Sequence, residues 1–208
     1  MIAARRLVTS GTFSLDGGTW DVDNNVWLLG DDDEVIVIDA AHDAGAIAKA
    51  AGDRRVKAIV CTHAHDDHIG AAPELARLTR APILLHPDDA ELWRMTHPGR
   101  RPDAELAGGQ TLKVGGAEVR VIHTPGHTPG AVSLHVPELD VVFTGDTLFQ
   151  GGPGATGRSF SDFGTIIASI GDRLLTLPGR TTVLTGHGDD TSIAEEAPHL
   201  DEWIARGH

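Results

Sequence analysis

The chain has 208 residues, the length of one ordinary domain with a substantial core. Its 30 Asp and Glu against 17 Lys and Arg give a formal net charge of −13, which argues against a nucleic-acid groove and weakens any nuclease reading. A single cysteine permits no internal disulfide, no apolar run is long enough to cross a membrane, and Met1-Ile2-Ala3-Ala4-Arg5-Arg6 lacks the apolar core of a signal peptide, so a cytoplasmic protein is expected.

Strands are expected near 7–14, 22–29 and 34–39, with Asp31-Asp32-Asp33-Glu34 as a hairpin tip. A helix follows over 43–52, where Asp43 can cap it. Val56-Lys57-Ala58-Ile59-Val60-Cys61 reads as a buried strand, with Cys61 as a small buried hydrophobe. A helix over 69–79, a strand over 82–86 and a short helix over 88–95 come next. The polar segment 97–109 contains Pro98, Gly99, Pro102 and Gly108-Gly109, and reads as a mobile loop that can lie over the site. Strands over 111–114, 118–122, 131–136 and 140–144 follow. Phe163, Ile166, Ile167, Ile170, Leu174 and Leu175 have helical spacing and predict a helix over 162–176. A strand over 181–185 and a helix over 193–205 end the chain. Strand-rich halves covered by helices give an α/β chain folded as a four-layer αββα sandwich, one domain over 1–208.

The buried strand at 56–61 runs into His63-Ala64-His65-Asp66-Asp67-His68, three imidazoles and two carboxylates in six residues. Clustered histidines are characteristic of metal sites. His63 and His65, two apart on an extended segment, can point the same way, while Asp67 and His68 turn toward a second point. Two neighbouring metal ions are the natural reading. Three later strands end alike: His127 sits in Pro125-Gly126-His127-Thr128-Pro129-Gly130, Asp146 follows Gly145, and His187 follows Gly186. Glycine lets backbone pass close to a crowded site. His42, His86, His97, His123, His135, His199 and His208 are not needed as ligands, and Asp66, Asp189 and Asp190 read as solvated loop acids.

With these residues in hand, the chain resembles the metallo-β-lactamase-fold hydrolases, and among them the glyoxalase II-like branch of hydroxyacyl-thiol hydrolases. The resemblance rests on the HxHxDH stretch at 63–68, on His127, Asp146 and His187, and on the strand Glu34 to Asp39. It covers nearly the whole chain. It implies that His63, His65 and His127 hold one metal, that Asp67, His68 and His187 hold a second, and that Asp146 bridges both. Asp67 and Asp146 would be the catalytic carboxylates, and Asp39 would orient a ligand histidine. Imidazole and carboxylate donors without thiolate suit two divalent ions, zinc foremost, with iron or manganese as alternatives. Such a pair activates a water for attack on a carbonyl.

The substrate is expected to be a small molecule. Gly151 to Phe160 follows Asp146 and reads as a substrate-shaping loop, in which Arg158 can grip a carboxylate. The chain ends soon after His187, without the helical domain that helps glyoxalase II bind glutathione, and it has no tyrosine. Glutathione recognition and acyl-homoserine-lactone cleavage are therefore not expected, and another carrier such as mycothiol is. Thioester hydrolysis is the leading expectation. The alternatives are a persulfide dioxygenase-like enzyme with one iron on His63, His127 and Asp146, a β-lactamase or lactonase, and a non-catalytic metal-binding module. The sequence does not give the oligomeric state.

Overall fold

The structure, a computed structural model, describes residues 1–207, so His208 lies outside the described residues. The first half of the chain builds one six-stranded sheet. Strands β1 (Ala3–Leu15) and β2 (Gly18–Gly30) pair antiparallel along their full length. Asp16 and Gly17 join them with φ of 52° and 79°. Positive φ at both central residues is the geometry of a tight hairpin turn, and Asp-Gly adopts it readily. β3 (Glu34–Ile38) pairs with β2 across the acidic tip, where the Asp31 carboxylate accepts the amides of Asp33 and Glu34. α1 (Ala44–Ala51), capped by Asp43 through the Ala46 amide, crosses over to β4 (Arg55–Val60), which runs parallel to β3. Then come α2 (Asp66–Ile69), α3 (Ala72–Thr79), β5 (Ile83–Leu85), α4 (Ala90–Thr96) and the edge strand β6 (Ala104–Glu105).

The second half builds β7 (Thr111–Val114), β8 (Ala117–His123), β9 (Val132–Val136) and β10 (Val141–Gly145). A small pair, β11 (Leu148–Phe149) and β12 (Gly152–Pro153), precedes α5 (Phe163–Ser169). β13 (Thr182–Thr185), β14 (Thr191–Ser192), α6 (Ile193–Glu196) and α7 (Leu200–Arg206) finish the chain. The second sheet has the order β14-β13-β10-β9-β8-β7.

Period-2 alternation explains the layering. On β3, Val35 and Val37 face a core shared with Ile47, Leu75 and Trp93 of the helices, whereas Ile36 and Ile38 face the other sheet. On β10 and β13, Phe143 and Leu184 join that inter-sheet core, while Val142 and Val183 pack under Ile166, Ile170 and Trp203. Three cores between four layers make the αββα sandwich. Burying one such aliphatic side chain contributes about 1.5–3 kcal/mol, so both sheets are held from both faces.

Four expected elements differ. The helix over 69–79 is two: α2 contains the end of the histidine cluster, and α3 starts afresh with Pro73 in its first turn, where a missing N–H does no harm. The helix over 162–176 passes from α5 into a wider π-type turn, Ile170–Leu174, closed by the Leu175 amide on the Ile170 carbonyl at 2.9 Å. That turn keeps Ile166, Ile170 and Leu174, four apart, in one core. The helix over 193–205 is interrupted by Pro198 in a short 3-10 turn. The segment 97–109 does not cover the histidine cluster. It carries β6 along β5 and buries Leu106 between the sheets. No helix of the described residues is long and apolar enough to cross a membrane.

Candidate metal centre

The strands deliver the expected residues to one place. Beyond β4, His63 and His65 lie with ring centroids 4.8 Å apart, and His127, after β8, sits 5.0 and 4.7 Å from them. His127 Nε2 approaches His65 Nδ1 to 3.0 Å. These three form one group. Asp67, His68 and His187 form another: His68 Nε2 and His187 Nε2 are 3.1 Å apart, and Asp67 Oδ2 lies 3.4 and 3.2 Å from them. Asp146, at the end of β10, reaches both groups. Its Oδ1 is 3.3 Å from His68 Nε2, and its Oδ2 is 3.4 Å from His187 Nε2 and 3.7 Å from His127 Nε2. Gly186 makes room for it, because a Cβ there would collide with Asp146 Oδ1 and His68 Cε1.

The residues fit a pair of cations. His63 Nε2, Asp67 Oδ1 and Asp146 Oδ1 are buried polar atoms without a hydrogen-bond partner, and unpaired buried atoms call for an explanation. The outer nitrogens of four of the five histidines are held, while His65 Nε2 has no partner. His68 Nδ1 meets Asp39 Oδ2 at 3.0 Å, His127 Nδ1 the Ala155 carbonyl at 2.9 Å, His187 Nδ1 the Asp23 carbonyl at 2.7 Å, and His63 Nδ1 the Thr62 hydroxyl at 3.1 Å. A metal-binding histidine is commonly fixed in this way. Burial pushes His63 well below its ordinary pKa and His65 down to about 3, so their lone pairs are free. In the second group burial opposes charge, yet Asp146 and Asp67 outweigh it and lift His187 to about 10. Asp67 itself falls to about 2 because His68 and His187 outweigh its burial. This group demands positive charge at its centre.

Asp39 lies beside the cluster. At φ of 56° beyond β3, its Oδ1 accepts the Thr62 amide and its Oδ2 the Thr62 hydroxyl, both at 2.7 Å, besides meeting His68. His123 hydrogen-bonds the Pro129 carbonyl and stacks on His86 at 4.1 Å. Asp66 is not a solvated acid. It is partly buried and accepts the Ser14 amide, anchoring the β1–β2 hairpin.

A cavity of about 300 Å³ opens over the cluster, lined by His65, Asp67, His127, Asp146 and His187. Its walls are Phe13, Trp20, Val22 and Phe149, with Ala155, Arg158, Ser159 and Ser161 from the Gly-rich loop. Phe13 and Trp20 are cross-strand partners and stack at 5.7 Å. The Arg158 guanidinium lies 3.9 Å from the Trp20 ring, and Asp16 at the hairpin tip accepts the Ser159 amide. The sequence reading missed Phe13, Trp20 and Phe149. Asp16-Gly17 was the available signal, since a tight turn there pairs Phe13 with Trp20 on one face.

Asn24 was also missed. It is fully buried on β2, and its Nδ2 donates to Asp67 Oδ2 at 3.0 Å. His42 Nε2 lies 2.7 Å from its Oδ1, which aims the amide. No local pattern marks Asn24 as special.

Two sheets bring seven His and Asp side chains to one cluster, an arrangement that could hold metal ions. The sequence profile of the metallo-beta-lactamase superfamily matches residues 19–187. The chain belongs to that superfamily. It is 36% identical over 186 residues to the probable metallo-hydrolase YqgX of Bacillus subtilis, covering 83% of this chain and 88% of that one. It is 33% identical over 191 residues to the hydroxyacylglutathione hydrolase GloC of Haemophilus influenzae, covering 83% and 89%. Among solved structures it is similar to the BLEG-1 B3 metallo-beta-lactamase, with a TM-score of 0.77 and 32% identity over 92% of this chain and 98% of the other.

Proposed function

We propose that this chain hydrolyses the thioester of a small acyl group carried on a thiol, with two divalent cations, zinc foremost. The carrying observation is Asp146, set between a three-histidine group and an Asp-His-His group at the floor of the cavity. When bound, such cations supply an activated water and polarise the acyl carbonyl. His63, His65 and His127 would hold one, Asp67, His68 and His187 the other, and Asp146 both.

The chain's own residues favour a thioester. Outside the ligand set, the cavity walls offer apolar side chains, Arg158 and two serines. That lining provides no carboxylic acid or imidazole to protonate a departing amine or alkoxide. A thiolate, whose conjugate acid has a pKa of about 8.5, leaves without one. Phe13, Trp20 and Phe149 keep bulk water from the acyl group. Arg158, stacked on Trp20, keeps its N–H edge for a carboxylate on the substrate. The likeness to GloC supports the same chemistry.

The test is a panel of acyl thioesters, lactones, phosphodiesters and a chromogenic cephalosporin, with free thiol read directly. The expected result is metal-dependent thiol release with little turnover elsewhere. Hydrolysis of the cephalosporin alone, or oxygen uptake with a persulfide and no thioester cleavage, would overturn the reading.

A further inference from the structure

Asp89 precedes α4 and is not among the ligands. It is fully buried. Its Oδ2 accepts the Ala64 amide and the Thr128 hydroxyl, both at 2.8 Å, and its Oδ1 accepts the Gly130 amide at 2.6 Å. Ala64 lies between His63 and His65. Thr128 and Gly130 lie one and three residues beyond His127. One carboxylate thus ties together the two loops that carry the three-histidine group.

The approach is close enough to dictate sequence. A Cβ at Gly130 would lie 2.7 Å from Asp89 N and 2.8 Å from its Cγ and Oδ1, so only glycine fits. A buried carboxylate is unfavourable unless its oxygens are satisfied, and here three donors converge on it. An amide cannot replace it. Either orientation of an asparagine would turn its NH2 group onto a backbone N–H, at Ala64 or at Gly130.

We propose that Asp89 is the positioning residue of the three-histidine site, setting the distance between the His63–His65 loop and His127. This rests on the reading of those histidines as ligands. Groups that orient metal ligands typically change metal affinity about 10–100-fold when lost.

The test measures the affinity of each bound zinc by chelator competition in wild type, Asp89→Asn, Gly130→Ala and the exposed neighbour Asp88→Asn, together with the melting temperature of each metal-free protein. Asp89→Asn and Gly130→Ala should each weaken one zinc at least about tenfold and leave the other within about twofold. Asp88→Asn should match wild type, and excess zinc should restore turnover in Asp89→Asn. Wild-type affinities in Asp89→Asn would overturn the proposal, as would equal weakening of both zincs with a collapse in melting temperature. A wild type that binds a single zinc would sink the two-metal reading alone. The comparison then rests on that zinc, and an unchanged affinity in Asp89→Asn still overturns the role of Asp89.

Discussion

Asp39 Oδ2 lies 3.0 Å from His68 Nδ1, while its Oδ1 holds the Thr62 amide at 2.7 Å. One carboxylate at the end of β3 therefore aims the His68 ring on the neighbouring strand's loop and pins the start of that loop. Asp39→Asn must turn its NH2 group toward either a Thr62 donor or the His68 N–H. The expected outcome is a loss of about 10–100-fold in zinc affinity and turnover, read by chelator competition. Affinity within twofold of wild type would contradict this role.

Gly186 is a question of space. Its missing Cβ leaves room for Asp146 Oδ1 and the His68 ring. Gly186→Ala should displace Asp146 and lower metal content and turnover together, by about tenfold or more on the same orienting argument. A variant with full metal content and activity would show that the loop relaxes freely.

Arg158 concerns substrate alone. Its guanidinium stacks on Trp20 in the cavity wall. Arg158→Ala should raise KM for a carboxylate-bearing thioester by about 10-fold, the scale of one charge-assisted hydrogen bond, with kcat little changed. A neutral thioester should respond less. Equal effects on both substrates would contradict carboxylate recognition.

These residues differ in how far the sequence revealed them. The convergence of the seven candidate ligands was legible, because each follows an apolar strand and the six-residue cluster supplies four of them. The sandwich was legible from period-2 strands alternating with helices. Asp89 and Asn24 were not. Their partners lie 18 or more positions away, as with Asn24 to His42 and Asp89 to Ala64, and no local spacing encodes such contacts. The π-type turn after α5 escaped because four-residue apolar spacing fits an α-helix equally well. The placement of 97–109 escaped because the two-residue edge strand β6 is too short for a period-2 signal.

Glu34 gives a pH dependence away from the cluster. Its carboxylate accepts Arg55, Lys57 and the Gly115 amide, which hold its pKa down to about 2. A depressed carboxylate pKa adds stability that is complete above the unfolded value near 4.5 and lost as pH falls through about 2. With chelator present throughout, wild type should melt above Glu34→Gln at pH 6, and the gap should close between pH 4.5 and 2. A gap that stays constant to pH 2 would contradict the shift.

The position of Asp146 between two ligand groups is the centre of the account, and metal counting tests it directly. Wild type should carry two divalent ions per chain, and Asp146→Ala should lose both the second ion and thioester turnover. One iron per wild-type chain, or an Asp146→Ala variant that keeps two ions, would contradict it.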